Sequence, residues 1–310
     1  MILKSSKIII GFILVTALSI GAWSYYDIIN AHTNNLKDKA AERIGLYQNS
    51  LYNELTRFSF LPFVIARDRQ LINWSSQQST QANLALEDIK RASGANEVYI
   101  MDATGKTLSA SNWRSKTSFV NKNFAFRPYF KEAMLGNNGQ FFGIGTTSKK
   151  PGFYISTGAK DQGEVVAVTV AKIDLSILEN IWIEAGENIF VTNHDGVVVL
   201  SSQKPWKYRT LHSLEISQLE NIQTQRQFAD QNLKPLSSAA TTKEDQLNID
   251  GVDYIHQTTV IQGTDWTMHY LTPTNSIMRL ALATWTKIGV MLLAVLTLIL
   301  LWWLLQSSTR

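Results

Sequence analysis

The sequence predicts an α+β chain: one long N-terminal helix carrying two small tandem modules, each a curved antiparallel sheet, flanked by two transmembrane helices. Three observations predict it. Long charge-free runs stand near both ends, apolar residues mark one helical face between positions 29 and 58, and a strand–turn–strand unit recurs about 91 residues later.

Taken in order, residues 1–7 carry Lys4 and Lys7 and are expected in the cytoplasm. Ile8 to Tyr26 runs nineteen residues without a charge. At about 1.5 Å of rise per residue, this covers roughly the 30 Å thickness of a bilayer's hydrocarbon. A cleaved signal peptide would show a shorter apolar core and a small-x-small site, which is missing after Trp23–Tyr26. The second run, Ile288 to Leu305, is eighteen residues long, with Lys287 at its edge and Trp285, Trp302 and Trp303 at interfacial depth. Two spans with the lysines inside place residues 27–287 outside the cytoplasm, in the periplasm of a bacterial inner membrane. Residues 306–310 are then a cytoplasmic tail too short to fold.

From Ile29 the apolar positions Leu36, Ala40, Ile44, Tyr47, Leu51, Leu55 and Phe58 step by 7, 4, 4, 3, 4, 4 and 3. That is one face of a helix, packed on its own domain or forming a homodimer seam. Residues 27–93 are therefore a helical stalk and lead-in, with a second helix over about Gln81–Ser93. A first module is expected over 94–186. It starts with strand Glu97–Met101, an Asp102–Gly105 turn and a return strand Lys106–Ala110. A helix over 126–136, strands near 139–145, 153–159 and 164–173, and a connecting helix 175–185 complete it. A second module over 187–275 repeats the frame: strand 188–192, turn Asn193–Gly196, strand 197–201, a helical stretch 214–231, and strands near 246–251, 254–260 and 266–271. Residues 276–287 connect to the last span.

Composition narrows the chemistry. There is no cysteine, which excludes disulfides, thiolate metal sites and cysteine nucleophiles. The net charge of +4 is scattered, and no basic stretch interleaves with aromatics, so nucleic acid is not an expected partner. The five histidines, at 32, 194, 212, 256 and 269, lack metal-ligand spacing. No phosphate loop, nucleophile elbow or zinc-protease helix occurs, and adjacent carboxylates such as Glu87/Asp88 and Glu244/Asp245 diverge. No cofactor, no metal and no catalytic residue is expected.

Six motifs carry a resemblance. FRPYF (126–130), GTTS (145–148), PGFYIS (151–156), VAKIDL (170–175), FVTNHDGVVVLSS (190–202) and WKYRTL (206–211) resemble the PAS-like double Cache (dCache) sensor region of DctB-type sensor histidine kinases. That resemblance implies two PAS-like modules, detection of four-carbon dicarboxylates such as succinate, fumarate or malate, and signalling to a cytoplasmic transmitter or response regulator. Two departures stand out. The family continues past the second span into a phospho-accepting and ATP-binding portion, which this chain lacks. Where the resemblance implies a tyrosine three residues before the FRPYF arginine, the chain has Phe124.

The residues support an anion site on their own terms. A guanidinium fork matches a carboxylate, and Arg127 lies in the aromatic stretch FAFRPYF, where it needs an anionic partner or an internal salt bridge. Lys172 lies inside the apolar strand VAVTVAKIDL, where it needs a ligand or a neighbour such as Asp174. By resemblance, Thr146 joins Arg127 and Lys172 in ligand binding. Tyr154 and Ser156 alternate on one strand and share a face. Tyr129 is a candidate wall, and Asp174 would hold an ammonium if the ligand were an amino acid. All these candidates fall in the first module. In the second, Lys204, Lys207 and Arg209 cluster in a loop where solvation is expected. A chemoreceptor or diguanylate cyclase input for amino acids or other organic acids stays open, as does a kinase-less receptor subunit.

Overall fold

The computed structural model describes residues 2–236 and 245–308. Within its first and last helices it describes the backbone alone at 2–18, at 20 and at part of 276–308. Helix α1 runs unbroken over Ile2–Arg57. On the predicted face, Ile44, Leu51, Leu55 and Phe58 are buried, whereas Leu46, off that face, is 64% exposed. Three shorter helices follow: α2 (Leu61–Arg67), α3 (Arg69–Ser76) and α4 (Thr80–Ser93). Pro62 sits in the first turn of α2, the Asp68 side chain caps α3 and the Ser79 side chain caps α4.

The first sheet comprises β1 (Glu97–Asp102), β2 (Thr107–Ala110), β3 (Gly139–Ile144), β4 (Pro151–Asp161) and β5 (Glu164–Ile173), in the order β2-β1-β5-β4-β3. Its pairings are antiparallel. Helix α5 (Pro128–Met134) precedes β3, and α6 (Ser176–Glu184) leads out of β5. On one side, α2 is tied to β5 by the Thr169 hydroxyl, which donates to the Pro62 carbonyl at 2.7 Å. An aromatic core that includes Tyr99, Phe119, Phe124, Tyr129, Phe130, Phe141 and Tyr154 packs together with Val168 and Val170 of β5. Burying each such ring contributes about 1.5–3 kcal/mol.

The second sheet repeats this plan with β6 (Ile189–Thr192), β7 (Val198–Ser201), β8 (Gln246–Ile249), β9 (Val252–Val260) and β10 (Thr267–Pro273), in the order β7-β6-β10-β9-β8. Helix α7 (Ile216–Thr224) falls between β7 and β8. The repeat reaches single residues. The β1–β2 register shifts between Ile100 and Met101, and the β6–β7 register between Val191 and Thr192. The Val98 N–H donates to the Ser111 hydroxyl at 2.9 Å, and the Ile189 N–H to the Ser202 hydroxyl at 2.9 Å. Gly105 and Gly196 both take the left-handed conformation in the connecting turns.

The chain divides into two compact units. The larger spans Ile44–Ala240 and Thr258–Tyr270, and holds the first sheet together with β6, β7 and α7. The smaller combines Met1–Arg43, Thr241–Gln257 and Leu271–Arg310, and so includes helix α8 (Asn275–Ser308). Inside the smaller unit, Tyr25 meets Trp285 edge-on at 6.1 Å, His32 bonds to Thr284 at 3.2 Å, and Lys37 pairs with Asp245 at 2.9 Å. Residues 8–26 and 288–305 are helical, but the side chains of much of both runs lie outside the described residues. Among the described residues, no helix is long and apolar enough to cross a membrane.

Candidate ligand-binding site

FRPYF is bent by its proline. A residue before proline is driven out of the helical region, so Arg127 is extended (ψ 137°) and Pro128 starts α5. The Arg127 side chain is thereby buried beside Tyr129, Tyr154 and Tyr99, only 2% exposed. Tyr129 stacks on Tyr154 with ring centres 5.2 Å apart and planes 7° apart, and its hydroxyl lies 2.7 Å from that of Tyr99. Burial raises the pKa of all three phenols, and that of Tyr154 is pushed up to about 12. Arg127 is close enough for its charge to oppose each rise.

These groups enclose a cavity of about 10 Å³, lined by Tyr99, Phe119, Phe124, Arg127, Tyr129, Tyr154 and the Gly145–Thr147 turn. That is room for about one water. Thr146 also lines a crevice of about 670 Å³, bordered by Lys149, Ile222, Arg226 and Phe228.

Lys172 on β5 stands opposite both Tyr154 and Glu97 in the sheet register. Its stem crosses Gly152: a Cβ there would come within 2.3 Å of the lysine Cε. The ammonium lies 5.7 Å from the Tyr154 ring centre and donates to the Ser148 hydroxyl and the Lys150 carbonyl, both at 3.2 Å. Glu97 is engaged elsewhere, by Lys90 at 3.0 Å and the Ser111 hydroxyl at 2.7 Å. Burial lowers the Lys172 pKa to about 8 against the pull of Asp174 and Glu97.

Arg127 spends three donors on main-chain carbonyls. Nη1 reaches Gln225 at 3.1 Å and Arg226 at 3.2 Å, and Nη2 reaches Ile144 at 2.7 Å. Among the described residues, no carboxylate lies within ion-pair distance of Arg127 or Lys172.

Of the residues singled out from the sequence, Arg127, Tyr129, Thr146 and Tyr154 line the cavity, and Lys172 stands at its Tyr154 wall. Ser156 is not among the lining groups; its hydroxyl donates to the Tyr129 carbonyl at 2.6 Å and so anchors α5. Asp174 is exposed and accepts the Ser176 N–H at 2.9 Å at the start of α6. Tyr99 and Phe119 were not singled out. In the second module the expected solvation of Lys207 and Arg209 is corrected. Lys207 pairs with buried Glu179 at 2.6 Å, and Arg209 donates to the Pro235 and Leu236 carbonyls, because both chain segments fold back over the loop.

Residues 24–281 match the Cache domain family dCache_1. The C4-dicarboxylate transport sensor protein DctB of Pseudomonas aeruginosa is 32% identical over 273 residues, 86% of this chain and 43% of that protein. The protein of the same name from Rhizobium meliloti is 30% identical over 226 residues, 69% of this chain and 36% of that protein. The chain thus spans less than half the length of these curated relatives. Among solved structures, the sensor domain of the V. cholerae histidine kinase DctB superposes with a TM-score of 0.70 at 26% identity, covering 77% of this chain and 98% of that one. The ligand-binding domain of Mlp24, solved with asparagine, shares the fold at a TM-score of 0.58 and 12% identity, covering 82% of this chain and 98% of that one.

Proposed function

Because the chain belongs to the Cache domain family dCache_1, we propose that it senses a small dicarboxylate, of the succinate, fumarate or malate kind, outside the cytoplasm. It reports that ligand across the inner membrane to a histidine kinase transmitter. In this reading 8–26 and 288–305 are the spans, residues 94–186 bind the ligand, residues 187–275 relay the change, and the receptor works as a homodimer.

One observation carries the ligand class. Two buried cations, Arg127 and Lys172, flank an aromatic cavity with no carboxylate partner among the described residues. A cation buried without an anion is costly, and a dianion offsets both. An amino acid needs an acceptor for its ammonium, and Asp174 is exposed and turned to the α6 N-terminus. The Gly145–Lys150 turn, held from inside by Lys172, is the wall that has to yield, since the cavity of about 10 Å³ admits no four-carbon anion as it stands.

Calorimetry on the full chain in lipid nanodiscs tests this with succinate, fumarate, malate and a panel of amino acids. Dicarboxylates should bind, and Arg127→Ala and Lys172→Ala should each weaken binding by about 30- to several-thousand-fold, as roughly 2–5 kcal/mol for a charge-assisted contact implies. Binding of amino acids in preference to dicarboxylates would sink the assignment.

A further inference from the structure

Strand β3 is the outer strand of the first sheet, so one row of its peptide groups faces away from β4. A segment some eighty residues downstream covers that row. The Ile144 N–H donates to the Gln227 carbonyl at 2.8 Å, and the Gln227 side-chain amide donates to the Phe142 carbonyl at 3.0 Å. Beside it, the Ile144 carbonyl takes Nη2 of Arg127. Gly143 makes the approach possible, because a Cβ there would stand 3.0 Å from both Arg127 Nη1 and the Gln227 carbonyl, and 2.5 Å from the Phe141 ring.

The end of α7 is shaped for this contact. Arg226 adopts a left-handed φ of +51°, its N–H returns to the Gln223 carbonyl, and the Gln227 N–H returns to Ile222. This reversal is usually made by glycine and costs about 1 kcal/mol for other residues. It leaves the Gln225 and Arg226 carbonyls on Arg127 Nη1. A guanidinium has five N–H donors, so three held by carbonyls leave two for a carboxylate.

We infer that Gln227 is a positioning residue for ligand recognition: by clamping the end of α7 to β3 it aims Arg127 at the cavity and ties ligand binding to the α7 segment. This rests on the reading of Arg127 as a ligand-binding group. By reciprocity, whatever factor the docked segment adds to ligand affinity, the ligand adds to docking. The ligand then reaches α7 through one side chain.

The test uses the full chain in nanodiscs, with Gln227→Leu and Gly143→Ala as independent variants, since one removes the side-chain half of the clamp and the other crowds the main-chain half. Succinate should bind each variant about tenfold more weakly than wild type. In wild type, succinate should slow hydrogen exchange in peptides covering 141–145 and 222–228, and in the variants it should not. Without ligand, Arg127 should resist phenylglyoxal in wild type and react in both variants, as read by mass spectrometry. If wild type binds no succinate, the dicarboxylate reading fails, and the phenylglyoxal arm still decides the clamp. Equal protection of Arg127 in all three proteins, or wild-type succinate affinity in both variants, overturns the inference.

Discussion

At the scale of single residues, the proposed ligand role of Lys172 predicts a pH response. Burial brings its pKa down to about 8 from 10.5, so the ammonium proposed to meet the ligand is lost in mildly alkaline solution. Dicarboxylate affinity should hold level near pH 7, where both ligand carboxylates stay ionised, and fall above pH 8 towards about tenfold per unit, the slope for one linked proton. Titration calorimetry at pH 7, 8 and 9 measures this, and a flat profile would mean that Lys172 does not meet the ligand. The stability effect has the opposite sign. The unfolded chain keeps this proton up to 10.5, so between about 8 and 10.5 it binds more protons than the folded one, and stability rises with pH across that window. Lys172→Met should abolish both trends in calorimetry and thermal melts. Arg127 and Lys172 were legible in the sequence because a cation inside an apolar run demands a partner. Tyr99 was not: Val98, Tyr99, Ile100 and Met101 are all buried, so no alternation separates the face towards the cavity from the other. The Gln225 and Arg226 carbonyls were illegible for another reason, since nothing local links them to a residue 98 and 99 positions earlier.

At the scale of elements, the two strand–turn–strand units look alike in sequence and differ in what surrounds them. Gly105 and Gly196 share a positive φ, so alanine at either one strains the turn by about 1–2 kcal/mol. Beyond that they part. A Cβ at Gly105 would fall 2.6 Å from the Ala125 backbone, two residues before Arg127, whereas a Cβ at Gly196 would meet the His212 ring at 3.0 Å. A ring can swing away and a backbone cannot. Gly105→Ala should therefore cost clearly more stability in denaturant unfolding and should also weaken dicarboxylate binding; Gly196→Ala should cost the strain alone and leave binding intact. Equal losses in the two variants would contradict this. The strands and α4 to α6 were readable from turn residues and apolar spacing, whereas the helical stretch expected over 214–231 closes as α7 at Thr224, before the left-handed Arg226. Helices α2 and α3 were missed because seven and eight residues barely complete two turns, too few for a periodic stripe to stand out.

At the scale of the whole molecule, the charge-free runs and the lysines before the first of them support the proposal that the sheets lie outside the cytoplasm. A reporter active only in the periplasm, inserted at the exposed Gln162–Gly163 turn, should be active there, and activity of a cytoplasm-only reporter at that turn would reverse the topology. The tandem plan was legible because the repeat is written in turn residues; the two compact units were not, because β9 and β10 each contribute to both. Helix α1 adds a mechanical consequence. Its 56 residues without a break make a rod about 84 Å long. Within one unbroken helix each backbone hydrogen bond ties a residue to the one four places before it, so Leu51 and Leu55 cannot reorient on the buried face without carrying the neighbouring turns with them.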